Sequence, residues 1–326
     1  MEATTTDPVT SASAKSGVGR GAYGRAVRIS VVLGQWLDRP LAADIEVAVA
    51  ADRLGYDQLW VPEMAKADAP ALAATIAGRT NGIELVLGPL PVTVRSPVQI
   101  AMAAQTVAVT GRRVHVALGT SSSVVARWHG TTRAGSADRL GTTVAALRAL
   151  FSGDRVNGFR LTEPPDPSPT ITVAAFGPRA VASADDADRM VLNMVTVETA
   201  RRLAAQHSNT AVWLCAAVDP TDEERDWLAR GFVGYLAAPG YGEMFTEAGF
   251  GELVEFARSG AKPKEVYARM PPALLDAVAL VGDETTIRDR IAAYRAAGIR
   301  EIGIVPAAPD LPSSAATLEL LRSSPG

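Results

Sequence analysis

The segment Ile83–Gly119, IELVLGPLPVTVRSPVQIAMAAQTVAVTGRRVHVALG, decides how this chain is read. It opens with the apolar run IELVLGP (83–89) and closes with RVHVALG (113–119). Both runs are almost continuously apolar. A strand with one wet face alternates polar and apolar side chains, whereas a strand buried on both faces does not. Two such runs separated by a helix-length stretch make a parallel β-α-β unit.

The unit repeats along the chain. Further runs are VRISVVLG (27–34), DQLWVPE (57–63), TITVAAFG (170–177), RMVLNMV (189–195), AVWLCAAV (211–218) and REIGIVPA (300–307). The early runs begin about every 28 residues, a regular β-α period. Ser136 is expected to cap a helix carrying Leu140, Val144, Leu147, Leu150 and Phe151 on one face, with Gly153 ending it. Asp283 to Ala297 carries Ile287, Ile291 and Tyr294 at helical spacing, followed by Gly298. Eight buried runs with helical crossovers suit a closed (β/α)8 TIM barrel or an open doubly wound sheet, both of the α/β class. The count of eight and the length of 326 residues favour the barrel. The interval between the seventh and eighth runs implies a helical insertion, placed at about 219–282 within a single domain spanning 26–326.

Composition narrows the function. Hydrophobic residues make up 48% and the net charge is −3, which gives no reason to expect a nucleic-acid partner. No apolar run approaches the ~20 residues that span a bilayer. The lone cysteine, Cys215, excludes a disulfide framework, reads as a packing residue and fits a reducing cytoplasm. Residues 1–25 have no apolar core of a signal peptide and read as a disordered tail. Gly19–Gly24 in that tail matches G-x-G-x-x-G, but it precedes the first strand, so it lacks the context of a dinucleotide loop.

In a barrel the chemistry sits on loops after the strand C-termini. One of these is LGTSSSVVARWHG (118–130). A serine nucleophile needs a base in reach, and the hydrolase elbow G-x-S-x-G is absent because Ser123 stands where its second glycine belongs. The hydroxyls of Thr120, Ser121 and Ser122 suit hydrogen bonding to a polar ring or phosphate. In AAFGPRAV (174–181), Gly177 and Pro178 open a helix whose free amides suit an anion, with Arg179 able to add charge. Arg95 is either a ligand for an anionic group or an exposed helix-start residue. Trp36 can stack on a planar ligand, while Trp60 reads as core. The histidines 115, 129 and 207 show no metal-ligand spacing, and Asp185, Asp186 and Asp188 read as a solvated turn, so no metal is expected.

These pieces in order, AADRLGYDQLWVPE, the Ile83–Gly119 segment, HG at 129–130, TVAAFGPRAV and VGDETTIRDRIAAYRAAGIREIGIVP, resemble the luciferase-like flavin and deazaflavin oxidoreductases. The chain is most similar to the F420-dependent (deazaflavin) branch of actinobacteria, and GFVGYLAAPGYGEMFTEAGF (231–250) resembles that branch's insertion. The resemblance implies a cofactor at the strand C-termini and a cis peptide near Gly88-Pro89, beside Leu90, bulging against its ring. It also implies ring or side-chain contacts from Glu63, Thr120, Ser121 and Ser122. A phosphate is implied at Ala175, Phe176, Gly177, Pro178 and Arg179, with Asn193 and Thr196 lining the pocket. Gln35, Trp36 and Met64 fall on the substrate side.

Met64 and Ser122 occupy positions where a sugar-phosphate branch has a histidine and a glutamate, so that acid–base pair is missing. Proton transfer then falls to Glu63, His129 or a water. The implied activity is F420-dependent hydride transfer to or from a small organic substrate, such as reduction of a C=C or C=N bond. An FMN-dependent monooxygenase and a non-catalytic deazaflavin-binding protein are the alternatives. The family further implies a homodimer through early helices.

Overall fold

The apolar runs pair edge to edge, all in parallel. The strands are β1 (Arg28–Val32), β2 (Gln58–Val61), β3 (Glu84–Pro91), β4 (Val114–Gly119), β5 (Ile171–Ala174), β6 (Arg189–Asn193), β7 (Thr210–Val218), β8 (Leu280–Gly282) and β9 (Glu301–Pro306). Each of β1 to β7 pairs with the next, and β9 pairs with both β7 and β1, which closes an eight-stranded barrel. This computed structural model describes residues 27–323 except Gln35, Asp38, Pro309 and Asp310. The expected tail and its G-x-G-x-x-G match lie outside the described residues, as does Gln35.

Helices cross over between strands, as expected for buried parallel β-structure. Pro97–Ala108 is stopped at its N-terminus by a capping box, with Ser96 and Gln99 satisfying each other's backbone amides. Asp283 caps Glu284–Ala296 by accepting from the Thr286 amide, and Ile287, Ile291 and Tyr294 form its buried face. One expectation is corrected. The helix Ser136–Phe151 is preceded by Gly135 in the left-handed region, and Ser136 is its first residue, buried and not a cap.

The insertion is also corrected in detail. Between β7 and β9 the chain is mainly helical, but Leu280–Gly282 adds the ninth strand, β8, to the C-terminal end of β7. Three residues are too short to show a buried-strand pattern against neighbouring helical apolar positions. Cys215 is fully buried in β7, and burial pushes its thiol up to about 12.

The N-terminal end of the barrel is closed by polar residues, not apolar ones. Arg189 on β6 donates to Glu301 on β9 at 2.5 Å, to Gln58 on β2 at 2.9 Å and to Thr172 on β5 at 3.1 Å. Glu301 also accepts from Ser30 on β1 at 2.7 Å and from the Trp60 indole at 3.1 Å. The Arg189 guanidinium lies 4.3 Å from the Trp60 ring centroid. His115 on β4 joins the set, with Nε2 3.1 Å from Glu84 on β3 and Nδ1 2.7 Å from the Thr170 hydroxyl. His115 is buried and has a partner at each ring nitrogen.

Burial holds the His115 imidazole below its ordinary value, opposed by the Glu84 carboxylate. The sign of the resulting pH dependence follows. The unfolded imidazole takes a proton near 6.5 and the buried one only at lower pH. This contribution to stability is therefore complete above about pH 6.5 and declines as pH falls below it. Urea midpoints of the protein and of His115→Asn, compared at neutral and mildly acidic pH, check this. The variant should lose less stability on acidification than the parent.

Candidate functional site

The other end of the barrel, at the strand C-termini, is built differently. Alternation along β6 carries the inward side from Arg189 to Val191 to Asn193. In mid-bore, Trp60 and Trp213 meet edge to face with centroids 5.1 Å apart. Above this plug β4 ends at Gly119 and β5 at Ala174, and β3 carries Gly88 before its end.

Gly88-Pro89 is a cis peptide, at the position that the family resemblance implied. It is also a bulge. Leu87 pairs with Val116 and Leu90 with Leu118, so β3 spends three residues where β4 spends two. Only glycine fits at 88. Its φ is +110°, and a Cβ there would lie 2.3 Å from the Leu90 nitrogen and 2.4 Å from the Ala117 oxygen. Pro89 is pushed toward β4, with its Cβ 3.1 Å from one built on Gly119. Leu90 is fully buried, so its side chain is not offered to a ligand, contrary to the expectation for it.

Glu63 follows β2 and is fully committed. Arg95 grips both its oxygens at 2.7 Å, and the Ala69 amide donates to it at 3.0 Å. Arg95 also pairs with Asp68. Both readings of Arg95 are therefore corrected, since it is neither an anion ligand nor a free helix-start residue. It staples the loop after β2 to the loop after β3. The two carboxylates raise its affinity for its proton, so the staple carries a fixed charge. Glu63 could act as an acid or base only by releasing this fork, so the geometry makes it a support. Met64 is half-buried beside it.

After β4, Ser121 takes φ 56°, a rare conformation for a non-glycine residue. The Ser122 hydroxyl accepts from the Val125 amide and caps the helix Ser123–Trp128. Thr120 accepts from Arg133 at 2.9 Å. His129 ends that helix, exposed, and its imidazole has no hydrogen-bond partner among the described residues. Trp36 is half-buried and packs on the core.

After β5, Ala175 is tied to β6 through Val191, and the amides of Gly177 and Arg179 make no backbone hydrogen bond among the described residues. Arg179 is turned away and forks onto Asp138 at 2.8 and 3.0 Å, both side chains being highly exposed, so it adds no free charge at this loop. Thr196, expected in the pocket, is the cap of Val197–Ala204 and accepts from Thr199.

The insertion supplies two residues that the sequence reading missed. Tyr241 stacks on Phe176 with centroids 4.6 Å apart and 5° between planes, and its hydroxyl donates to the Asn193 carbonyl at 2.9 Å. Gly240 sits so close that a Cβ would lie 2.5 Å from the Phe176 ring. Tyr235 meets Tyr241 edge-on at 5.0 Å. Burial pushes the Tyr235 hydroxyl up to about 12, with Cys215 adding to the shift and the Asn193 side chain opposing it. Its only trace in the sequence was an aromatic, glycine-rich stretch inside the insertion. Asn193 Oδ1 is buried without a partner, and so is Thr93 Oγ1, four residues past the bulge at Pro89. Buried orphans of this kind call for a ligand or a water.

Gly88→Ala should cost roughly 2–4 kcal/mol, since it adds a backbone clash to a left-handed φ. Gly111→Ala is the control. Its φ is +81° but nothing lies within 4 Å of the added carbon, so the strain acts alone. Chemical denaturation should separate the two clearly, and equal losses would mean that the bulge is not a tight fit.

Comparison with known proteins fits this geometry. Residues 12–301 match the family described as luciferase-like monooxygenase. A Mycobacterium tuberculosis protein that carries the name of a coenzyme F420-dependent oxidoreductase is 24% identical, covering 84% of this chain and 93% of its own. Similar solved structures include an F420-dependent secondary alcohol dehydrogenase in complex with an F420-acetone adduct (TM-score 0.72, 16% identity, 91% of this chain and 98% of that one). The coenzyme F420-dependent tetrahydromethanopterin reductase of Methanopyrus kandleri is another (TM-score 0.73, 14% identity, 92% and 98%). The FMN complex of the oxygenating constituent of 3,6-diketocamphane monooxygenase from Pseudomonas putida is a third (TM-score 0.67, 18% identity, 91% and 98%). A barrel closed by β1 and β9, small residues and a cis bulge at its mouth, and a match over most of the length together place the chain in the luciferase-like monooxygenase family of oxidoreductases.

Proposed function

We propose that the protein binds coenzyme F420 at the barrel mouth and passes a hydride between it and a small organic substrate, reducing a C=C or C=N bond. The observation that carries the choice of cofactor is the relationship, over 84% of the chain, to the F420-dependent oxidoreductase of Mycobacterium tuberculosis. The mouth fits such a ligand. The Gly88-Pro89 bulge and the loop at Gly119–Ser122 give a narrow wall for a ring. The free amides of Gly177 and Arg179 suit a phosphate.

When bound, the deazaflavin supplies a hydride carrier with little reactivity toward oxygen. The protein's own part is to orient, exclude water and hold a proton. Glu63 is held by Arg95 and His129 is exposed, whereas the Tyr235 hydroxyl stays protonated next to the Asn193 side chain. Tyr235 is therefore the proton-holding group assigned to the mouth.

The same mouth accommodates FMN, and the diketocamphane monooxygenase neighbour favours that second reading. Titration followed by cofactor fluorescence decides. F420 should bind with a Kd of about 1–10 μM and FMN at least about tenfold more weakly. The reverse order would replace the reductase with a monooxygenase.

Among the described residues no helix is long and apolar enough to cross a membrane, and no group of three or more His, Cys, Asp or Glu could hold a metal. A cytoplasmic location is proposed from the lone cysteine. A homodimer is proposed through the helix Pro97–Ala108, where Val98, Met102, Thr106 and Val109 follow helical spacing and Met102 and Val109 are 48% and 76% exposed. Light scattering should give twice the chain mass, and Met102→Glu should shift it toward one. A monomeric parent would end this part of the proposal.

A further inference from the structure

A cavity of about 530 Å³ opens within the insertion, among residues that the barrel mouth does not use. Phe250, Leu253, Phe256 and Pro271 supply its apolar lining, and Thr246 and Arg269 are among its polar groups. It exists where a helix kinks. Tyr241–Phe245 is α-helical, the chain kinks within Thr246–Phe250 where Gly249 takes φ 93°, and a new helix begins at Gly251. Nothing lies within 4 Å of a Cβ built on Gly249. The glycine there serves the left-handed turn, not tight packing.

Arg269 gives the cavity its chemistry. Its guanidinium carbon lies 3.6 Å from the Phe256 ring centroid, so one face is spent on the ring. It forms no salt bridge among the described residues, which leaves its donor edge open. Glu252 also lines the cavity but does not pair with it, and it sits in the first turn of Gly251–Arg258, where a carboxylate is favoured. One free cation with one carboxylate in the same wall suits a monoanion and disfavours a dianion such as a phosphate. The volume is in the range of small-ligand sites, and Phe250, Leu253, Phe256 and Pro271 form the apolar part of the wall.

We propose that this cavity is a second binding site, for a small arene carboxylate, with its ring against Phe250, Leu253 and Pro271 and its carboxylate on Arg269. The site is independent of the cofactor at the mouth. The mouth and the cavity both draw on the segment from Tyr241 onward, with the kink at Gly249 on the cavity side.

The test uses the full chain without cofactor and 2-naphthoate as probe, followed by calorimetry. Saturable binding with a Kd of about 0.1–1 mM is expected for a ligand of this size. Arg269→Gln, an exposed position, should weaken it about tenfold while leaving the thermal midpoint unchanged. Neutral 2-naphthamide should bind the parent about as weakly as 2-naphthoate binds the variant. Leu253→Trp should fill the cavity and abolish binding of both probes. Absence of saturable binding overturns the proposal, as does equal affinity for the parent and Arg269→Gln. Binding that survives in folded Leu253→Trp places the probe elsewhere and overturns it as well. If that variant does not fold, Arg269→Gln decides alone.

Discussion

The pairing of Arg189 with Glu301 is the constraint from which the rest of the barrel takes its bearings. Both groups lie inside the bore, 2.5 Å apart, and both are almost fully buried. Two charges taken out of water need every remaining lone pair and proton matched, and removal of one partner would strand the other. Partners for Glu301 and for Nε and Nη1 of Arg189 come from β1, β2 and β5, while Arg189 Nη2 makes no hydrogen bond among the described residues. A one-residue slip in any of these strands would turn its contribution outward. The polar floor therefore sets the register of the barrel, and the period of two carries that register upward to Asn193 at the mouth.

The two ends of the bore then serve different needs. The floor is filled by long polar side chains that reach each other across it. The mouth combines small residues at Gly88, Gly119 and Ala174 with the aromatic cluster of Phe176, Tyr235 and Tyr241, and buried Asn193 Oδ1 and Thr93 Oγ1 have no partner there among the described residues. Trp60 and Trp213 separate the two regions, and Trp60 belongs to both, since its indole donates to Glu301 below.

How much of this was legible depended on the range of each interaction. Strands such as Val114–Gly119 could be read because burial on both faces leaves a continuous apolar run. The bulge at Gly88-Pro89 could be placed through the family resemblance. The fate of Glu63 could not, because its partner Arg95 is 32 residues away and nothing local marks an ion pair. Arg179 was assigned to the mouth because it opens a helix there, and only the fold reveals Asp138 beside it. Arg189, Glu84 and Glu301 begin or adjoin strands, where a charge ordinarily marks the solvent edge. Here each points inward, so a residue-type rule reads them the wrong way. Tyr235 and Tyr241 lie in a segment with no strand rhythm, so no pattern pointed them at β6.

The stack of Tyr241 on Phe176 changes what the insertion is. A segment joined to a barrel only at its two ends would be a module, exchangeable among relatives that share the scaffold. This one has Gly240 pressed against Phe176, in a loop more than sixty residues earlier in the chain. A chimera that imports another insertion must therefore import the matching side chain after β5, and the two segments are expected to diverge as a linked pair.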